Sequence, residues 1–169
     1  MRSAINFLGA FLIVTLAVLA AQGQEHTYSS PKAEYLVDFP SPTWRLVDEP
    51  DDVHRITEFV YGDRSDGYLR VRKENLEPNM TIQEFARRDQ DRTFLPGFID
   101  GKQETFDGRL NGVTSSYEFT TSGKSMAGRT YYLRGEGTTV YVLRFTGFRD
   151  KLIRIRNQTD AIARSFRSK

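Results

Sequence analysis

The sequence predicts an α+β fold, an antiparallel β-sheet flanked by helices, and three observations predict it. Residues 129–134 and 138–146 are dense in Tyr, Val, Leu, Phe and Thr, the types that fit a pleated surface, and a Gly135-Glu136-Gly137 break joins them as a hairpin. After Gly147 the apolar positions change period. Leu152, Ile155, Thr159, Ile162 and Phe166 follow the 3-4-3-4 spacing of one helix face, with Ile153 and Ala163 widening the stripe, so a helix over 151–166 folds back onto the sheet. A capping box, Thr81-Ile82-Gln83-Glu84, opens another helix in mid-chain.

In chain order, Arg2, an apolar run from Phe7 to Ala21 and small residues at Ala20, Ala21 and Gly23 make residues 1–23 a secretory signal peptide, cut after Ala21 or Gly23. The run is short for a membrane span of about 20 residues; an uncleaved anchor is the alternative. No cysteine follows it, which rules out lipoprotein processing. Residues 24–169 are then expected to form a single secreted or periplasmic domain. Roughly 145 residues bury one core without staples, and with 0 Cys neither disulfides nor thiolate chemistry is open to the chain. Arg2 is the leader's only charge, so its removal takes the net charge from +2 to +1. That balance argues against a nucleic-acid binder, which would concentrate a basic field.

Tyr35, Val37 and Phe39 alternate with Glu34, Leu36 and Asp38 up to Pro40-Ser41-Pro42, and Trp44-Arg45-Leu46-Val47 resumes the pattern. Residues 53–61 and 68–75 read as the next strand pair, linked by the turn-forming Gly62-Asp63-Arg64-Ser65-Asp66-Gly67. That link lacks the acidic spacing and final bidentate carboxylate of a calcium loop. The capped helix runs to about Thr93, with Ile82, Phe85 and Ala86 inward and Arg87 to Arg92 as a solvated flank. Phe94 to Phe98 is a loop with large apolar residues. Strands over 102–106 and 109–120 join at Asp107-Gly108, with Asn111-Gly112 as the other turn or bulge, and Ser122-Gly123-Lys124 leads back to the hairpin. His26 falls in the tail that follows the leader, and Arg167-Ser168-Lys169 is expected to fray.

Catalytic sets are scarce. His54 with Asp51, Asp52 or Glu58 makes a base and its orienter or half a metal site, yet one histidine without thiolates is a weak ligand set, and a surface-loop histidine is the simpler reading. Ser115, Ser116, Ser122 and Ser125 lack the setting of a nucleophile elbow. Asn79-Met80-Thr81 and Asn157-Gln158-Thr159 match a glycosylation acceptor, the first doubling as a helix start and the second lying mid-helix. The expectation is therefore no catalytic residue, no metal and no cofactor. Two binding surfaces remain. Arg70, Arg72, Arg129, Tyr131 and Arg144 are expected on the solvent-facing sides of the strands, and Tyr and Arg are enriched where proteins bind proteins; ordinary solubilising residues are the alternative. Trp44, Phe94 and Phe98 are candidate aromatics of a cleft for a small molecule or lipid, although a lone Trp after a Pro-rich turn more simply plugs the end of a core.

The order of parts also resembles a known family. It is carried by the strand Tyr35–Phe39 running into Pro40-Ser41-Pro42-Thr43-Trp44, the capped helix Thr81–Ala86, the strand from Leu110-Asn111-Gly112 to Tyr117-Glu118-Phe119, the strand opening Arg129-Thr130-Tyr131, and a last helix closing on Ser165-Phe166. Over most of residues 28–167 this resembles the Mog1/PsbP-like superfamily, which includes the DcrB-type bacterial envelope proteins. The resemblance implies an α-β-α sandwich and a non-enzymatic binding or assembly role. Family members act on photosystem II or on a small GTPase; no motif ties this chain to either, and a leader speaks against the GTPase. The partner expected here is another envelope or secreted protein, with membrane contact only through an uncleaved leader. No functional residue carries over.

Overall fold

Tight turns set the long strands. At Ser122-Gly123 both residues have positive φ, 48° and 73°, so a two-residue loop of the twist-matching kind joins Thr121 to Lys124. The computed structural model describes residues 26–51, 55–93 and 95–169; the leader, His54 and Phe94 lie outside the described residues. Its elements are β1 (His26–Ser29), β2 (Tyr35–Phe39), β3 (Trp44–Asp48), β4 (Ile56–Tyr61), β5 (Asp63–Asn75), α1 (Ile82–Asp91), β6 (Ile99–Phe106), β7 (Gly112–Thr121), β8 (Lys124–Arg134), β9 (Thr139–Phe148), α2 (Arg149–Arg154), α3 (Arg156–Ser165) and β10 (Arg167–Ser168).

A seven-stranded sheet runs in the order β3-β4-β5-β9-β8-β7-β6, and a smaller one in the order β1-β2-β10. The recorded pairings are antiparallel. Because side chains alternate across a strand, the large sheet has two buried faces. On one, Leu69, Val71, Tyr131, Leu133, Leu143 and Phe145 pack under Leu152, Ile155, Ile162 and Phe166 of the C-terminal segment and Tyr35, Val37 and Phe39 of the small sheet. On the other, Val113, Tyr132, Val140 and Val142 meet Leu76, Ile82 and Ala86. Helix α1 is thus one outer layer, and α2, α3 and the small sheet form the other. The fold is α+β, with the antiparallel sheet between helical layers. Thr81 caps α1 as expected: its side chain accepts from the Glu84 amide while Glu84 answers the Thr81 backbone.

Several expectations are corrected. The single helix over 151–166 breaks at Ile155 (φ −99°, ψ 12°) into α2 and α3. Ile155 drives its side chain inward over Gly67, where a Cβ would sit 2.8 Å from Ile155 Cδ1. The C-terminal residues do not fray: Arg167 and Ser168 pair with Leu36 and Tyr35, and Arg167 Nη1 lies 2.9 Å from Asp38 Oδ2. His26 is no loose tail, since β1 pairs with β2 and the His26 ring stacks on Phe39 at 5.4 Å. Nor is the Arg87–Arg92 flank wholly solvated: Gln90 is buried and Asp89 turns toward the sheet.

Glycine choice matters where β7 meets β8. The Tyr117 ring lies across Gly128, and a Cβ there would fall 2.0 Å from Tyr117 Cζ. Gly128→Ala is expected to destabilise by about 1–3 kcal/mol through overpacking, read as a lower urea midpoint. Tyr117→Ala should remove most of that penalty in the double variant, and simple additivity would show that the ring is not its cause.

Candidate functional site

On the α2–α3 face an open cleft lies between the β6 side of the sheet and the C-terminal helices. Register places Ile99, Glu118 and Ala127 in one row across β6, β7 and β8, and Ser116 beside Arg129 in the next. Leu152 and Ile153 of α2, with Arg156 and Thr159 of α3, form the opposite wall, enclosing about 330 Å³. Small residues open this space: Gly101, Ala127 and Gly128 line it. Gly101 sits in a bulge of β6, where a Cβ would come 2.3 Å from the Ser116 carbonyl oxygen. Ile99 and Ile153, 64% and 57% exposed, face solvent at this cleft.

The polar part of the cleft is Arg129. Its Nη1 donates to Ser116 Oγ at 3.0 Å, its Nη2 to Asp160 Oδ1 at 3.1 Å and its Nε to the Tyr131 hydroxyl at 2.7 Å. Tyr131 in turn donates to Asp160 and lies 3.0 Å from Thr159 Oγ1. Burial, reinforced by Asp160, pushes the Tyr131 phenol well above its ordinary range, so it stays a donor. Burial opposes the Arg129 charge, but Tyr131 and Asp160 outweigh it and hold the guanidinium firmly protonated. Guanidinium, phenol and carboxylate thus hold one another in place. The guanidinium has five N–H groups, and three are used here. Chemically the arrangement is suited to binding: aliphatic walls beside a rigid donor whose charge is already balanced.

The structure scatters the five residues expected on one Arg/Tyr surface. Arg129 and Tyr131, two apart on β8, share the α2–α3 face, and Tyr131 is fully buried. Arg70, Arg72 and Arg144 lie on the α1 face, Arg70 directly opposite Arg144 across β5 and β9 and Arg72 one row further along β5, opposite Val142. Of these, Arg70 is exposed and pairs with Glu58 at 2.9 Å. Arg72 and Arg144 are held beneath α1 by the Asp89 carboxylate, whose Oδ2 is 2.6 Å from Arg144 Nη2 and 2.9 Å from the Tyr132 hydroxyl, while Oδ1 takes Arg72. The expectation that these side chains face solvent holds for Arg70 and is corrected for Arg72, Arg129, Tyr131 and Arg144, because helices cover those parts of both faces. Trp44 is 2% exposed; its Nε1 donates to Gln158 Oε1 at 3.1 Å, and its ring packs on Phe39, Tyr61 and Phe145. Phe98 is half-buried against Tyr117, at 5.4 Å between centroids, away from the Trp44 cluster. Ile99, Asp89 and Asp160 were not foreseen. The one legible signal was Ile153, an apolar residue beside the strict 3-4 stripe of its helix. Among the described residues no group of three or more His, Asp or Glu is placed to hold a metal.

Against known proteins, no family model and no curated sequence matches. Solved structures do. LpqN of Mycobacterium tuberculosis, described as involved in cell envelope biogenesis, matches with TM-score 0.56 and 18% identity over 85% of this chain and 89% of that one. Cyanobacterial PsbP (CyanoP) from Synechocystis sp. PCC 6803 gives 0.59 and 13% over 93% and 99%. The Ran-binding protein Mog1p of Saccharomyces cerevisiae gives 0.61 and 10% over 86% and 96%. The chain also spans about half (49%) of a Bacteroides thetaiotaomicron protein, at TM-score 0.61 and 13% identity over 88% of this chain. The class is thus an antiparallel sheet sandwiched by helices, with a cleft at one sheet end. The fold is similar to those of Mog1p, CyanoP and LpqN, an α+β sandwich of the kind the resemblance implied. At these identities the likeness is one of fold.

Proposed function

We propose that this protein is a secreted or periplasmic, non-catalytic accessory module that binds another envelope or secreted protein through the cleft between β6 and α2. The observation that carries this reading is the pair of exposed isoleucines, Ile99 and Ile153, at a cleft with a fixed guanidinium. Large aliphatic side chains left in water beside a concave surface are what a partner's side chain covers. Two fold relatives support an accessory role: LpqN, described as involved in cell envelope biogenesis, and CyanoP, a PsbP. A photo-crosslinking residue at position 153 is expected to give one discrete crosslinked band in envelope extract of the source organism. The same residue at exposed Lys102 should not, and Ile99→Asp should abolish the band while leaving the urea midpoint in place. A band that survives Ile99→Asp, or appears equally from position 102, overturns the reading.

The cleft volume itself favours a second reading, a small-molecule or lipid carrier, since about 330 Å³ lies at the lower end of small-ligand sites. Native mass spectrometry of the purified protein separates the two: a retained adduct lost on Ile153→Asp supports the carrier. The leader belongs to either reading. N-terminal sequencing of exported protein is expected to begin at Gln22 or Gln24, leaving residues 24–169 as the working domain.

A further inference from the structure

The β6–α2 cleft holds one charge that no described residue answers. Its charged lining residues are Asp100, Glu118, Arg129 and Arg156. Three of them are accounted for. Arg129 is balanced by Asp160 at 3.1 Å and Glu118 by Arg149 at 2.7 Å. Asp100 stands opposite Tyr117 and turns to the α1 face, where its carboxylate accepts from Gln90 Nε2 at 3.3 Å. Arg156 is the exception. It is exposed at the start of α3, and its side chain makes no hydrogen bond or ion pair with a described residue. The first turn of α3 carries no acidic residue to offset it. An unpaired arginine on an open surface would be ordinary. This one borders an apolar cleft together with a second guanidinium, Arg129, which is 11% exposed and has two of its five N–H groups left over.

The occupant that complements this cleft has one negative charge beside a short aliphatic body. Ile99, Ala127, Leu152 and Ile153 supply the apolar walls, and a guanidinium holds a carboxylate by paired N–H groups better than it holds a neutral carbonyl. The last residue of a polypeptide carries its carboxylate and its side chain on the same carbon, so one residue meets both demands. An internal Asp or Glu spends its side chain on the carboxylate and brings no aliphatic group to the same point. A fatty acid has the charge, but about 330 Å³ is the lower end of small-ligand sites, room for one or two residues rather than for a long acyl chain.

We propose that the cleft captures the C-terminus of a partner polypeptide that ends in an aliphatic residue, its carboxylate between Arg156 and the spare N–H groups of Arg129 and its side chain against Ile99, Leu152 and Ile153. The proposal rests on the reading of this cleft as a protein-docking site and specifies which part of the partner enters it. The test is an NMR titration of isotope-labelled protein with a hexapeptide ending in leucine, as free acid and as C-terminal amide, with the same peptide ending in serine and with decanoate as comparisons. The free acid ending in leucine is expected to give saturable shifts centred on Ala127, Gly128, Ile153 and Thr159, and to bind about tenfold tighter than the amide or the serine peptide. Arg156→Glu should bring acid and amide within about twofold of each other and leave the urea midpoint in place, because an exposed side chain without partners holds nothing in the fold. The proposal is overturned by equal affinity for acid and amide, by an acid preference that survives Arg156→Glu, by tighter binding of decanoate, or by shifts that do not saturate or that centre outside the cleft. If any of these is found while the crosslink from position 153 stands, the cleft docks some other part of its partner; if the crosslink fails as well, the docking reading falls with it.

Discussion

Asp89→Ala is expected to lower stability by about 2–3 kcal/mol, somewhat below the usual cost of breaking a fully buried ion pair because its partners keep some contact with water. One carboxylate on α1 answers two guanidiniums and a phenol: Arg72, Arg144 at 2.6 Å and Tyr132 at 2.9 Å. Removing it leaves two like charges under the helix with one acceptor fewer. Burial, with Asp89 beside it, pushes the Tyr132 phenol well above its ordinary range, so the hydroxyl stays a donor in need of an acceptor. Asp89→Asn keeps one acceptor oxygen and should fall between the two. Urea unfolding followed by circular dichroism reads the effect. A loss under about 0.5 kcal/mol would mean that water replaces the carboxylate at no cost and that α1 is held by Ile82 and Ala86 alone. Replacing Asp89, Arg72 and Arg144 together by methionine should recover much of the loss, since an apolar interface needs no balanced charge.

Trp44→Ala should be the most damaging single substitution, at about 3–5 kcal/mol. The indole packs on Phe39, Tyr61 and Phe145 at 5.4–5.9 Å between centroids, and its Nε1 ties β3 to Gln158 of α3. Trp44→Phe keeps most of the apolar contact but leaves Gln158 without its donor, so a smaller loss of about 1–2 kcal/mol is expected. Trp44 is the only tryptophan, so its emission reports the core directly. Native protein should emit at short wavelength and shift to the red in the same urea transition that circular dichroism records. A native spectrum already typical of exposed indole would contradict its sealed position.

Much of the architecture was legible because it is written in local period. The alternation of Tyr35, Val37 and Phe39, the 3-4-3-4 stripe from Leu152 to Phe166 and the Thr81–Glu84 capping box each state a local structure and a buried side. What period alone does not state is what lies on the opposite face. Arg129 and Arg144 look alike in sequence, yet Arg129 pairs in register with Phe145 and Arg144 with Thr130, so the two arginines point to opposite helices. Their partners, Asp160 and Asp89, stand 31 and 55 residues away from them. Both carboxylates read as polar helix flank until the packing direction is known. The break at Ile155 was equally hidden, since no Gly or Pro marks it; it follows from an apolar side chain seeking the space above Gly67. The candidate cleft was least legible of all, being made from the gap between Ile99 and Ile153 rather than from a motif.

The small sheet has a consequence for how the molecule is assembled in time. Its central strand, β2, is flanked by β1 from the start of the described chain and by β10 from its end, and the Arg167–Asp38 bond closes a separation of 129 residues. Tyr35 stacks on Phe166 at 4.7 Å only when both ends have arrived. During vectorial synthesis, β1 and β2 must therefore wait, with Val37 and Phe39 short of their C-terminal cover, until nearly the whole chain has emerged. Such long closures slow folding toward the millisecond-to-second range. For that interval the first-made strands are the sticky part of the chain, and a C-terminal nick of a few residues would prolong the exposure.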